Sequence, residues 1–303
     1  MSNPTGHGNH WECLGGTAED RVAQFVPLVC AEGKLGVAVK RPVGSAKLGG
    51  LRGEEIVPIT YPSTPLACMA VIISDPSRKK NEFYTGFSCA ILGGRQRLQI
   101  REVHDWGDQV EGVLLAHNVP HEQPIGFFDP HFYANHGKYK VGQEYDFVIA
   151  GLIYWAECSN EKAVTVTDQT VLRKRYAAMN EHPEPLPDGT LPPQVYHLAG
   201  LTALVPGETV IEDAEFYCVV DKMSEFYLED IRIFQITPRF DDDCRHSPLP
   251  TVIYGASSKF KDGYLPKPGD SICGTLWVQG FLRGEPASPG ESHSPPPEQT
   301  HDE

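Results

Sequence analysis

A chain of 303 residues with 40% hydrophobic and 22% charged side chains can bury one large core or two ordinary ones, which excludes a fully disordered polymer. Forty Asp and Glu against 26 Lys and Arg give a formal charge of −14, and only five of those acids fall in residues 285–303, so the body itself is acidic. An acidic body repels phosphate backbones and disfavours nucleic acid as a partner; Arg78-Lys79-Lys80 and Arg173-Lys174-Arg175 read as solvated basic spots.

The first ten residues are polar, without the apolar stretch of a secretory signal, and no apolar run is long enough to span a bilayer. A cytoplasmic protein with no membrane partner is the expectation. The eight cysteines (Cys13, Cys30, Cys68, Cys89, Cys158, Cys218, Cys244, Cys273) form no C-x-x-C pair, and several lie in apolar runs as small buried hydrophobes.

Along the chain, Thr17, Glu19 and Asp20 open a helix over residues 17–29, with Val22, Phe25 and Val26 on its apolar side. Glycine and proline break residues 33–63 into short pieces. Strands follow at 66–73, 82–92, 95–103 and 109–115. Gly93-Gly94 predicts a hairpin, and the charged segment 95–101 an edge strand. In 144–155, Tyr145, Phe147, Ile149, Gly151, Ile153 and Trp155 alternate onto one packed face. Asp168 caps a second helix over 168–180, with Val171, Leu172, Tyr176 and Met179 at helical spacing. Five prolines mark 182–195 as a linker, after which strands are expected at 214–220, 226–236, 251–254 and 271–282.

A weak internal repeat stands out. Lys140-Val141-Gly142-Gln143-Glu144-Tyr145 aligns with Lys267-Pro268-Gly269-Asp270-Ser271-Ile272, each after a tyrosine (Tyr139, Tyr264) and each leading into a long strand. The order of strands, acidic loop, glycine turn and long closing strand in 214–282 resembles an oligonucleotide/oligosaccharide-binding (OB) barrel in pattern and length, with a β-sandwich as the open alternative. The predicted fold class is therefore all-β with minor α. It comprises a leader (1–16), a first β domain with short helices (17–181), the proline-rich linker (182–195), a second, OB-like β domain (196–283) and a disordered tail (284–303). The two domains are small antiparallel barrels or sandwiches related by duplication.

No P-loop, dinucleotide fingerprint or G-x-S-x-G elbow occurs, so no catalytic or cofactor-binding residue is assigned. His117, His121, His131 and His136 with Asp129 contain ligand types for zinc or iron, but three prolines interrupt them and an ordinary surface loop is favoured. Asp241-Asp242-Asp243 lacks the rest of a calcium loop and reads as a solvated turn. The candidate partner-binding residues are Trp277, Phe127, Phe128, Phe132 and Tyr133. Trp277 alternates opposite to Leu276 and Val278 and so faces either a docking surface or an interdomain contact. The expectation is a non-catalytic binding or scaffold protein that engages protein partners through β-barrel surfaces, with no cofactor and no metal. An OB-like binder of nucleic acid or saccharide, and a metal-dependent enzyme using the 117–136 loop, are the alternatives. Nothing in the sequence indicates an oligomeric state.

Overall fold

The computed structural model describes residues 8–40, 55–62, 65–75, 77, 79–106, 109–118, 123–207, 210–239 and 250–283; His121, the acidic turn at 241–243 and the tail lie outside these. No helix among the described residues is long and apolar enough to cross a membrane. The protein is mostly β, with short helices at its margins.

Helix α1 (Ala18–Glu32) begins where predicted: the Thr17 side chain accepts from Asp20 N at 3.2 Å, and Phe25 and Val29, one turn apart, are buried. Sheet A follows, formed by β1 (Lys34–Leu35), β2 (Val39–Lys40), β3 (Glu55–Tyr61), β4 (Leu66–Asp75) and β5 (Lys80–Ala90) in the order β1-β3-β4-β5, with β2 also on β3. Pro58 is tolerated inside β3 because it faces the gap between β1 and β2, where only its carbonyl is used, accepting from Gly36 N at 2.8 Å.

Sheet B contains β6 (Gly94–Asp105), β7 (Gly112–Asn118), β8 (Pro124–Phe128) and β9 (Glu144–Cys158), with α2 (Phe132–Asn135) between the last two. Next come β10 (Ala163–Val166), α3 (Gln169–Ala178) and β11 (Gln194–His197); β10 and β11 pair as a separate ribbon. Asp168 caps α3 by accepting from Thr170 N (2.8 Å) and Val171 N (2.9 Å). Sheet B then resumes with β12 (Ala203–Pro206), β13 (Asp213–Leu228), β14 (Ile231–Pro238), β15 (Ile253–Ala256) and β16 (Ser271–Leu282).

Pairings in sheet B close two circuits. One runs β6-β7-β8-β16-β9 and back to β6; the other runs β13-β14-β15-β9-β16 and back to β13. The strands β9 and β16 belong to both and pair along almost their whole length. The turns entering them match bond for bond. Gly142 N donates to Ile100 O and Gly269 N to Val220 O, both at 2.8 Å, with φ of +83° and +94° that favour glycine. Ile100 N and Val220 N donate back to Gln143 O and Asp270 O.

Two apolar regions result. Inside the circuits lie Leu98, Ile100, Phe127, Phe147, Ile153, Phe216, Phe234, Ile253 and Leu276 among others. Between sheet B and the layer of α1 and sheet A lie Trp11, Phe25, Met69, Phe87, Phe128, Leu152, Tyr254 and Trp277. Polar side chains bind the layers together through backbone groups of and just beyond β5. Gln279 accepts from Ala90 N (2.9 Å) and donates to Ser88 O (2.8 Å), Trp11 Nε1 donates to Gly86 O (2.9 Å), and Tyr254 OH donates to Leu92 O (3.0 Å).

Two local expectations fail and a third holds only in part, each for an identifiable reason. Gly93-Gly94 is a passage from sheet A to sheet B, not a hairpin: β5 pairs with β4 and β6 with β7 and β9. Glycine is needed at 93 because a Cβ there would sit 2.5 Å from Ile149 O. Strand β6 is an edge only in part: residues 95–97 pair on one side, with β9, while Leu98 and Gln99 are flanked by both β9 and β7, and Arg95 and Arg97 pair with Asp146 (3.0 Å) and Glu144 (2.7 Å) of β9. The alternation in β9 breaks before Trp155, with consequences for the site.

Candidate functional site

The five residues singled out from the sequence are all interior. Phe127 and Phe132 join the cluster inside the circuits; Phe128, Tyr133 and Trp277 lie in the layer between the sheets. Trp277 does point opposite to Leu276 and Val278, but sheet A and the N-terminal turn cover it, leaving it 0% exposed and stacked on His10 with ring centroids 4.2 Å apart. Its surroundings are those of a packed layer between two sheets rather than of an open surface.

Among the described residues, His117, His131 and His136 do not converge. Arg101 Nε donates to His117 Nδ1 (2.8 Å), while His136 Nδ1 sits 3.2 Å from Phe132 O. Among the described residues no group of three His, Cys, Asp or Glu side chains is arranged to hold a metal ion. Asp129 instead organises the end of β8. Its carboxylate accepts from His131 N (2.8 Å), Asn135 Nδ2 (3.3 Å) and the Tyr139 hydroxyl, while burial pushes its pKa up.

A second polar cluster ties the N-terminal turn (Gly8–Leu14) to the sheet. Tyr154 OH donates to Asp213 Oδ1 at 3.1 Å and contacts His10, whose Nε2 lies 3.8 Å from Glu212 Oε1. Burial raises Asp213 to about 6, and the Tyr154 hydrogen bond opposes the shift.

The open concavity lies on the outer face of β13, β16 and β9, walled by the β10 strand. It has a volume of about 480 Å³ and is lined by Trp155, Glu157, Lys162, Glu215, Tyr217 and Cys273, with Ala163, Val164 and Leu198 along the wall. Its floor follows from strand register. Tyr217, Cys273 and Glu157 stand side by side across the three strands, and Glu215, Thr275 and Trp155 form the next row. Each row thus has an aromatic ring at one end and a carboxylate at the other, in opposite order.

Trp155 reaches this face through a β-bulge. Thr275 pairs with Trp155 but Leu276 pairs with Ile153, so Tyr154 is the extra residue and both it and Trp155 turn outward. Tyr154 enters the buried polar cluster; Trp155 remains 46% exposed in the groove. Gly274 permits the close approach, since a Cβ there would lie 2.0 Å from Trp155 O. The strict alternation read from the sequence places Trp155 on the packed face with Ile153, and the bulge is why it is not there.

The electrostatics of the groove are uneven. Glu157 is held below its usual carboxylate range by Lys162 (2.5 Å), helped by Lys261 (3.3 Å). Glu215 is exposed and has no ion pair among the described residues. Burial, and then the nearby Glu157, pushes the Cys273 thiol up, which keeps it protonated at neutral pH. Glu157, Glu215 and Tyr217 carry no sequence signal of a site, and Cys273, legible as a small buried hydrophobe, is indeed 6% exposed. A polar residue at every second position of Glu215-Phe216-Tyr217, and Glu157 two places beyond Trp155, become meaningful only once the strands are paired.

Compared with protein-family models, curated proteins and solved structures, the chain matches none of them.

Proposed function

We propose that the chain is a non-catalytic binding protein that engages a protein partner through the Trp155 groove. The observation that carries this reading is the placement of a large, exposed aromatic ring beside a concavity on a floor of three paired strands. Aromatic side chains on rigid elements supply much of the energy at protein interfaces, because little rotamer freedom is lost on burying them.

The chemistry of the groove favours binding over catalysis. The Cys273 thiol stays protonated and so is a poor nucleophile, and Glu157, held ionised by two lysines, is a poor proton donor near neutral pH. The acidic body and the exposed Glu215 oppose a phosphate backbone.

Two circuits of five strands, entered by turns with matching hydrogen bonds, support two OB-like barrels derived from one duplicated unit. In this reading β9 and β16 are the closing strands of the two units, and the groove lies on the outside of the second barrel.

The test is affinity capture from the cells of origin with the full chain and its W155A variant. A partner retained by the parent chain and depleted at least tenfold by W155A, at an unchanged melting temperature, is the expected outcome. Equal retention by both would remove the groove from the interface.

A further inference from the structure

We infer that the Trp155 groove is a receptor for an arginine side chain of the partner protein, an inference that rests on the binding role proposed above. The occupant follows from what the second floor row offers. Trp155, Thr275 and Glu215 lie in line on neighbouring strands, so the Cα atoms of Trp155 and Glu215 are two strand spacings apart, about 10 Å, and their side chains rise from the same face on either side of Thr275. Thr275, small and half-buried, stands between them.

A side chain lying across Thr275 meets an aromatic face at one end and an anionic group at the other. Guanidinium is the cation suited to both. Its plane stacks on an indole, it is more weakly hydrated than an ammonium, and its parallel N–H groups match a carboxylate.

Charge availability within the groove points the same way. Glu157 is committed to Lys162 and Lys261, whereas Glu215 has no ion pair among the described residues. Glu215, met only by the neutral Tyr217 hydroxyl, is therefore the carboxylate open to an incoming cation, and it stands in the same row as the exposed tryptophan. The formal charge of −14 on the chain adds long-range attraction for a basic partner. That general attraction acts on any cation, so the test separates it from the local receptor.

The experiment is calorimetric titration of the full chain with hexa-arginine at 0.15 M salt, repeated for W155A, E215Q and E181Q, and with hexalysine as the second probe. Glu181 is exposed just beyond α3 and does not line the groove, so E181Q removes the same charge from outside it. The expected result is saturable binding of hexa-arginine, weakened at least tenfold by W155A and by E215Q and less than twofold by E181Q, with hexalysine several-fold weaker. Equal losses for E215Q and E181Q, or undiminished binding to W155A, would reduce the interaction to diffuse electrostatics and overturn the receptor. Equal affinity for hexalysine would overturn the guanidinium assignment. If hexa-arginine fails to bind while partner capture still depends on Trp155, the arginine inference falls and the binding role stands; if capture ignores Trp155, the role itself falls.

Discussion

At the residue scale, the most informative groups are polar side chains held between layers. Asp213 lies at the seam of β13 and the N-terminal turn, and its raised pKa of about 6, against an ordinary 3.8, makes a signed prediction. A carboxyl with a raised folded pKa holds a proton that the unfolded chain releases between these two values. The stability this confers is full below 3.8 and is lost as pH rises through 6. D213N retains an acceptor for the Tyr154 hydroxyl and never ionises. The variant should exceed the parent chain in stability by about 1–2 kcal/mol near pH 7.5, a figure reduced for partial solvent exposure, with the gap closing toward pH 4. Urea denaturation of both proteins across this range checks it, and parallel curves would contradict the assignment. Asp129 shows the opposite use of a buried carboxylate: three donors hold it in one place, and its work is to shape the chain after β8.

At the element scale, the bulge in β9 is the feature that makes the groove. One extra residue turns Tyr154 toward His10 and Asp213 and frees Trp155 for the surface. Gly274 opposite is the complement of that bulge. A methyl group at 274 would meet Trp155 O at 2.0 Å and Ala156 Cα at 2.8 Å; both are backbone atoms that no rotamer change can move. G274A should therefore cost about 2–3 kcal/mol, because β16 must shift against β9. Gly137 has nothing within 4 Å of the same position, so G137A should stay within about 0.5 kcal/mol of the parent. Equal costs for the two variants in a denaturant titration would show that the approach of β16 to β9 is not constrained as described.

These two positions also mark how far the sequence is legible. Strand β16 falls on residues 271–282 as expected, because Ile272, Leu276 and Val278 fall at every-second positions of one face. Helices α1 and α3 are readable from their caps, Thr17 and Asp168, which act locally. Residues 95–101 look like an edge strand since charge is visible in sequence, whereas the acids of β9 that neutralise it lie about fifty residues away. A bulge leaves no comparable trace: its existence depends on register with a strand more than a hundred residues distant. The same holds for the burial of Trp277, whose outward direction is readable but whose covering layer is not.

At the scale of the whole molecule, β9 and β16 are the axis. Each belongs to both circuits, and the faces they turn outward are treated in two ways. Toward Trp277 and Leu152 the outer surface is sealed by sheet A, α1 and the N-terminal turn; toward Trp155, Glu157 and Cys273 it stays open as the groove. A single strand pair therefore has one open and one closed half, and the open half carries the proposed partner site. A photo-crosslinking residue in place of Val164 on the groove wall, compared with the same residue in place of the remote, exposed Leu35, tests this most directly in the native cell extract. The account predicts a discrete protein adduct from position 164 that is competed by an excess of the parent chain and not by W155A, and none from position 35. An adduct from position 35 alone, or one from 164 that W155A competes equally well, would contradict it.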